Sequence, residues 1–127
     1  MNLVSTYMDQ NPIYCTRDTR IAEIKYLLQK YDWNEIFVLD SAESKLPIGI
    51  VGFEDVNTYE IEQSDIPSDV SAEECMRTIP AVVHQDSSLE ECLNIMRLNH
   101  IDRLPVVDGN GHMEGMIDRD AIVKIIM

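Results

Sequence analysis

Residues 104–117 have the sequence LPVVDGNGHMEGMI, in which two short apolar runs flank a polar turn. Leu104 to Val107 is a run of β-forming residues, and the turn Asp108-Gly109-Asn110-Gly111 is typical of a β-hairpin. The second run, Met113 to Ile117, supplies the partner strand. The stretch therefore predicts an antiparallel hairpin near the end of the chain.

The second half of the chain repeats the first. Gly49-Ile50-Val51 corresponds to Gly115-Met116-Ile117, after a two-residue difference in one loop. A repeat this long is a whole α/β unit used twice, because solenoid repeats usually need three or more copies. Residues of one type recur 68 positions apart as Met8 and Met76, Pro12 and Pro80, Asp18 and Asp86, Glu23 and Glu91, Val38 and Val106, and Asp40 and Asp108.

Each half also begins with a short strand and a helix. The strands are predicted over 13–16 and 81–83, where β-forming residues cluster. Side-chain oxygens at 18–19 and 86–88 predict the helix starts, because they can accept hydrogen bonds from exposed N–H groups. The apolar stripes of the helices are Ile21, Ile24, Leu27, Leu28 and Tyr31 in the first half and Leu89, Cys92, Leu93 and Met96 in the second.

The first hairpin and the end of each half complete the pattern. The hairpin is predicted over 36–39 and 48–53, and closing helices are predicted to begin near Glu54 and Arg119. The acidic stretch from Asn57 to Asp69 is interpreted as a connector.

A chain of 127 residues can bury one sizeable core or two small ones. We therefore predict an α/β (α+β) fold of two βαββα repeats related by a pseudo-twofold axis. The first repeat spans residues 1–62, the linker 63–69 and the second repeat 70–127.

The charge balance excludes several partners. Ten Lys and Arg face 23 Asp and Glu, giving a net charge of −13. This field repels nucleic acid and anionic membranes, which are held largely through Lys and Arg. It favours cations, although an acidic surface is also a simple means to solubility.

Other sequence features indicate a reducing compartment. No apolar run is long enough to span a membrane, and the first residues lack the pattern of a signal peptide. Three cysteines form no disulfide framework. We expect a cytoplasmic protein.

The ordered elements resemble the CBS domain, and two in tandem resemble a Bateman module. The second repeat carries the closer likeness, through residues 101–108 and Gly115-Met116-Ile117. The first departs from it where Phe37 replaces the proline of that motif. The resemblance implies a small three-stranded sheet with two helices in each repeat. It also implies a regulatory role, in which adenosine-containing ligands (AMP, ADP, ATP or S-adenosylmethionine) bind in the cleft between repeats and a partner receives the signal.

The resemblance also implies site residues. Ligand-binding members carry Gly-h-h-(Thr/Ser)-x-x-Asp, where h is hydrophobic, the hydroxyl approaches phosphate and the carboxylate accepts from the ribose hydroxyls. In the first repeat Asp55 takes the ribose position and Gly52 replaces the hydroxyl residue. In the second, Ala121 replaces the ribose aspartate and Asp118 puts a negative charge where phosphate would lie. The second site is therefore expected to bind poorly.

An arginine before the second strand is the phosphate-facing residue of many nucleotide-binding members. Arg103 matches it in the second repeat, whereas Glu35 occupies that position in the first. Neither repeat has the full set. The ligand-binding candidates are Ile50, Gly52, Phe53, Asp55, Arg103, Asp118 and Arg119.

Structural roles are the alternatives for the two strongest candidates. Asp55 in a first helical turn can stabilise the helix dipole. Arg103 can pair with Asp102 or Asp108, or lay its stem over Leu104.

Three classes of function stay open. The first is adenosyl-ligand sensing, with an adenine nucleotide (AMP or ATP) as the ligand. The net charge favours AMP or adenosine over free ATP, and a basic pocket at Arg103 would oppose that preference. The second is divalent-cation (Mg²⁺) sensing, suggested by acidic residues around the connector, namely Glu54, Asp55, Glu60, Glu62, Asp65, Asp69, Glu73 and Glu74.

The third class is structural dimerisation with degenerate ligand sites. Trp33 and Ile125-Ile126 lie near helix ends, and they suggest a homodimer through the helical faces. No catalytic motif or metal-ligand pattern is present, so we predict that the chain is not an enzyme.

Overall fold

The computed structural model describes residues 2–62 and 70–126, without the side chains of residues 60–62. It has mixed α/β architecture, and the predicted fold class is confirmed. The helices are α1 Val4–Tyr7, α2 Ile21–Lys30, α3 Phe53–Glu62, α4 Ala72–Cys75, α5 Leu89–Asn99 and α6 Arg119–Ile126. The strands are β1 Tyr14–Thr16, β2 Glu35–Leu39, β3 Pro47–Gly52, β4 Arg77–Thr78, β5 Arg103–Val107 and β6 Met113–Asp118.

The chain forms two compact units. The continuous unit contains residues 13–79, and the discontinuous unit contains residues 1–12 together with 80–127. These units divide the chain differently from the predicted repeats. Each unit combines the main part of one repeat with the first residues of the other, which we call the lead-in segments (residues 2–12 and 70–79).

Backbone hydrogen bonds hold each lead-in segment to its unit. In the continuous unit the N–H of Ile21 donates to the carbonyl of Val70 over 3.1 Å. In the discontinuous unit the N–H of Leu89 donates to the carbonyl of Asn2 over 3.0 Å. Leu89 and Asn2 each differ by 68 positions from their counterparts, Ile21 and Val70. The two units therefore repeat the same backbone hydrogen bond between lead-in segment and helix, in addition to the residue types that recur in the sequence.

The continuous unit is built on a four-stranded sheet in the order β1-β2-β3-β4, in which β1 and β2 are parallel and the other pairs antiparallel. Because side chains alternate along a strand, one face of the sheet packs on the helices. The buried residues of that core are Cys15, Ile21, Ile24, Leu28, Ile36, Val38, Val51, Val56, Val70 and Ala72.

The discontinuous unit has a smaller sheet, the antiparallel pair β5-β6. Single bridges take the places of the outer strands: Val83 pairs parallel with Val106, and Asp9 pairs antiparallel with Met116. The predicted strand over 81–83 is thus reduced to one bridge. The buried core contains Val4, Val83, Leu89, Cys92, Met96, Ile101, Leu104, Val106, Ile117 and Ile122.

The helix starts match the sequence in one half only. Ser88 caps α5, since its hydroxyl accepts from the N–H of Glu91 over 3.1 Å. The predicted cap at 18–19 is wrong, because α2 begins after Arg20 without a side-chain cap. The hydroxyl of Thr19 instead accepts from the N–H of Thr16 over 2.9 Å, which stabilises the preceding turn.

The connector prediction is wrong in part. Helix α3 continues to Glu62, so residues 57–62 belong to the helix. The remainder of the predicted connector, 63–69, lies outside the described residues.

Equivalent glycines allow the lead-in segments to approach the hairpins. A Cβ on Gly49 would lie 2.8 Å from the carbonyl oxygen of Arg77, and a Cβ on Gly115 would lie 2.5 Å from that of Asp9. Heavy-atom contacts this short are forbidden, so both positions require glycine.

The aspartates that end β2 and β5 organise the hairpin loops. Asp40 Oδ1 accepts from the N–H of Ser41 over 2.7 Å and from that of Leu46 over 2.9 Å. Asp108 Oδ1 accepts from the N–H groups of Asn110 and His112 over 2.8 and 3.0 Å. These bonds, led by those from Leu46 and His112, lower the pKa of each carboxyl.

Candidate functional site

Four of the predicted site residues meet at the junction of β3 and α3 in the continuous unit. Ile50 and Gly52 lie in β3, while Phe53 and Asp55 lie in the first turn of α3. Ile50 is buried outside the helix-side core, and Phe53 packs partly against that core. The junction therefore gathers the candidates that the sequence assigned to the first repeat.

The Asp55 carboxylate uses both oxygens. Oδ2 accepts from the N–H of Gly52 over 2.8 Å, and Oδ1 accepts from Nε of Arg77 over 2.8 Å. The first bond satisfies an N–H at the start of α3, which is the structural role weighed for Asp55. The side chain is only 12% exposed.

Arg77 is the site residue that the sequence did not reveal. It lies on β4, opposite Ile50 of β3, and its Nη2 also donates to the carboxylate of Glu35 at the start of β2. The hydrogen bond to Asp55 is the largest influence that holds the Arg77 pKa above its ordinary value, and the bond to Glu35 acts in the same direction. One guanidinium therefore joins two carboxylates from different elements.

Gly52 has a steric reason to lack a side chain. It pairs with Glu35 across β2 and β3, and a Cβ at this position would lie 2.5 Å from the carbonyl oxygen of Asn34. A threonine or serine hydroxyl therefore has no room here without a backbone shift. The departure from the family motif at Gly52 is built into the strand pairing.

The other three candidates lie in the discontinuous unit. Arg103 and Asp118 are paired residues of β5 and β6, and their side chains form an ion pair, Nε to Oδ2, of 3.2 Å. Asp118 was not among the partners, Asp102 and Asp108, that the sequence suggested for Arg103. Asp118 Oδ1 also accepts from the N–H of Asp120 over 2.7 Å, at the start of α6.

Arg119 lies on a separate feature of that unit, a cavity of about 550 Å³ beside α5 and α6. Asp102, Arg97 and His100 line it with Arg119, over the apolar side chains of Met96 and Ile101. Arg119 therefore lines this cavity, whereas Arg103 and Asp118 pair with each other across β5 and β6.

The acidic residues form no metal cluster in the part of the chain that the structure describes. Glu74 accepts from the N–H of Ser71 over 2.9 Å as part of a capping box, and Glu73 lies 3.6 Å from Arg17. The side chains of Glu60 and Glu62, and all of Asp65 and Asp69, lie outside the described set. Asp55, Glu73 and Glu74 therefore have structural partners.

The cysteines lie in surroundings that disfavour the reactive thiolate. Burial raises the pKa of Cys15 to about 12 and the pKa values of Cys75 and Cys92 to about 11. Cys92, which the sequence places on the apolar stripe of its helix, lies in the core of the discontinuous unit.

The apolar residues that suggested a dimer have contacts within their own units. Trp33 packs against the core of the continuous unit, and Ile125 and Ile126 pack against that of the discontinuous unit. The more exposed helical apolar residues are Tyr26 and Leu98, at 58% and 63%. Within the described ranges, none of the helices has the length and apolar character needed to cross a bilayer.

The chain belongs to the CBS domain family, whose model matches residues 4–62 and again residues 70–127. This confirms the tandem arrangement expected from the repeat.

Among curated proteins, the chain is similar to inosine-5'-monophosphate dehydrogenase from Staphylococcus haemolyticus, with 31% identity over 116 residues. That match covers 91% of this chain and 22% of the dehydrogenase. The chain thus spans about a fifth of that relative.

Solved structures of similar fold include two with adenosine-type ligands. One is CBSX2 in complex with AMP, at a TM-score of 0.79 and 23% identity, covering 98% of this chain and 95% of that one. Another is the CBS domain pair of protein MJ0100 in complex with 5'-methylthioadenosine and S-adenosyl-L-methionine, at 0.79 and 22%, with coverage of 98% and 95%. At these identities the likeness establishes the fold.

Proposed function

We propose that this chain is a regulatory module without catalytic activity that senses an adenosine-containing ligand through the β3-α3 junction of the continuous unit. The observation that carries the proposal is the position of Asp55, a largely buried carboxylate in the first turn of α3. In this family a carboxylate there accepts from the ribose hydroxyls. The ligands of CBSX2 and MJ0100, which share this fold, support the adenosyl class.

The surroundings of Asp55 favour this role over a divalent-cation site. A hard cation needs several oxygen ligands, whereas both oxygens of Asp55 already accept from N–H donors. A ribose hydroxyl is a neutral donor, and it can take the place of one of these N–H donors at a carboxylate oxygen. Backbone at Gly52 and Phe53 and the side chain of Ile50 would border the ligand.

The proposal is tested by titrating AMP, ADP, ATP, S-adenosylmethionine and Mg²⁺ into the protein by calorimetry. We expect an adenosyl ligand to bind, and Asp55→Ala to weaken it by about 1–3 kcal/mol, because two hydroxyls lose their acceptor. Glu54→Ala is the matched control, since it removes the same charge from the same helical turn at an exposed position. Equal affinity of both variants and the parent would place the ligand elsewhere.

Among nucleotides, we expect AMP to bind more tightly than free ATP at low salt. The chain carries a net charge of −13, and each added phosphate brings more negative charge into that field. Competition at two salt concentrations measures the preference, which should shrink as salt screens exposed charges. Tighter ATP binding at both concentrations would contradict the expectation.

The signal needs a receiver, and we propose a homodimer or a separate protein partner for that role. The most exposed large apolar side chains, Tyr26 on α2 and Leu98 on α5, are the dimer contacts that we propose to test. Sedimentation equilibrium should give the mass of two chains, and Leu98→Glu should lower it. A mass of one chain for the parent protein would exclude the dimer.

A further inference from the structure

Arg77 differs from an ordinary surface arginine in the number and origin of its partners. It donates to Asp55 on α3 and to Glu35 on β2, although these residues lie 22 and 42 positions away in the chain. Its side chain is 51% exposed, while those of Asp55 and Glu35 are 12% and 28% exposed. The guanidinium thus covers two carboxylates that solvent reaches poorly.

A ribose at Asp55 must share the carboxylate with this guanidinium. Oδ2 is bound by the N–H of Gly52 at the helix start, so Oδ1 is the oxygen where Arg77 and a hydroxyl compete. An arginine remains charged at any pH that the fold tolerates, and a half-exposed guanidinium that leaves a carboxylate needs another acceptor. An uncharged nucleoside supplies no anion for it.

We propose that Arg77 is a specificity-determining residue of the ligand site, selecting nucleosides that carry a phosphate monoester over the same nucleosides without one. This inference rests on the proposed function. When the ribose takes Oδ1 of Asp55, the guanidinium turns to the phosphate oxygens and keeps Glu35 as its second partner. The planar fork of arginine matches phosphate geometry, and such charge-assisted bonds are among the strongest that side chains make.

The location of Arg77 explains how one repeat can influence the other. β4 belongs to the second lead-in segment, which opens the second repeat in sequence but pairs with β3 of the continuous unit. Recruitment of Arg77 by a phosphate therefore acts on a residue of the second repeat that lies in the unit built mainly from the first. An uncharged nucleoside would occupy the site without that effect.

The test compares two probes, adenosine and AMP, by calorimetric titration of the full chain. We expect the parent protein to prefer AMP by about tenfold or more, as a charge-assisted hydrogen bond provides. Arg77→Gln should abolish this preference by weakening AMP and tightening adenosine. Arg17→Gln is the matched control, because Arg17 is a similarly exposed arginine of the same unit, paired with Glu73 rather than with the site.

The outcomes separate the role of Arg77 from the proposed function of the site. If Arg77→Gln and Arg17→Gln change the AMP preference equally, the long-range field selects the ligand and the role of Arg77 is overturned. An unchanged preference in Arg77→Gln overturns it too, while binding that depends on Asp55 would leave the proposed function intact. If neither probe binds the parent or any variant, the role of Arg77 is overturned, and the proposed function then depends on the titrations with ADP, ATP and S-adenosylmethionine.

A second variant guards against loss of folding in Arg77→Gln, which removes the cation that binds Asp55 and Glu35. Glu35→Gln keeps Arg77 and removes one of the anions that compete for it. We expect it to bind AMP several-fold more tightly and adenosine as before. A preference for AMP that stays the same or falls in Glu35→Gln would overturn the inference.

Discussion

The strand-to-helix junctions of the two units have the same backbone pairing, but their charged side chains lie on different strands. In the continuous unit the cation is Arg77 on the lead-in strand, between Glu35 and Asp55. In the discontinuous unit the cation is Arg103 on β5, paired directly with Asp118 on β6.

A comparison of equivalent positions shows why the charged residues differ between the two junctions. Glu35 corresponds to Arg103, Gly52 to Asp118, Asp55 to Ala121 and Arg77 to Asp9. The lead-in contact at this position is made by backbone atoms in both units, since Asp9 and Met116 exchange N–H···O bonds of 2.8 and 2.9 Å. Backbone pairing therefore maintains the fold, which leaves the side chains of the junction free to differ.

The largest expected effect tests what the units share. Gly49→Ala and Gly115→Ala each force a Cβ against a lead-in carbonyl, so each should lower the free energy of unfolding by about 1–3 kcal/mol. Urea denaturation measures the loss. Gly109→Ala is the control, because a Cβ there meets no atom within 4 Å. Its free energy of unfolding should stay within about 0.5 kcal/mol of the parent value. If Gly49→Ala left the free energy of unfolding unchanged while Gly115→Ala lowered it, the two lead-in contacts would not be equivalent.

A smaller effect sharpens the difference between the junctions. A double-mutant cycle of Arg103→Gln and Asp118→Asn should give a coupling energy of about 0.5–1.5 kcal/mol, because both side chains are mostly shielded from solvent. The exposed pair of Arg17 and Glu73 should couple by less than about 0.5 kcal/mol in the same assay. Equal coupling in the two cycles would mean that the Arg103 pair is only a surface contact.

The smallest effect concerns the hairpins, where the units are again alike. The pKa values of Asp40 and Asp108 are lowered in the folded chain, so each carboxylate adds stability above its unfolded pKa of about 3.9. That contribution is lost as the pH falls through the folded value. Thermal unfolding between pH 6 and pH 3 should therefore be less pH-dependent in Asp40→Asn/Asp108→Asn than in the parent. An identical pH profile would contradict the loop bonding of both residues.

The sequence predicted the elements better than their assembly. Residues 104–117 form the expected hairpin because turn chemistry and β-propensity act locally, and the Ser88 cap is local for the same reason. The exchange of lead-in segments is a choice between two copies of one pattern. A repeat shows which residues correspond, but not which copy each segment contacts.

For the candidate site, too, the sequence indicated individual residues but not which residues contact one another. Asp55 and Gly52 were predicted from their positions in the motif of the family that the chain resembles, and the equivalence of Arg77 with Asp9 follows from the 68-residue offset between the repeats. The sequence could not bring Arg77 to Asp55, because that contact depends on β4 pairing with β3 in the folded chain. Whether Arg103 faces a ligand was equally beyond the sequence, since its partner comes from the opposite strand.

The exchanged lead-in segments impose an order on folding. The continuous unit needs only residues 13–79, so its contacts can form while the rest of the chain is still being synthesised. The discontinuous unit must join residues 1–12 to a segment that begins at residue 80, so its contacts close a loop of chain that contains residues 13–79. Contacts so distant in sequence are slow to form. We therefore expect the second unit to complete last, with the first lead-in segment waiting unpaired until then.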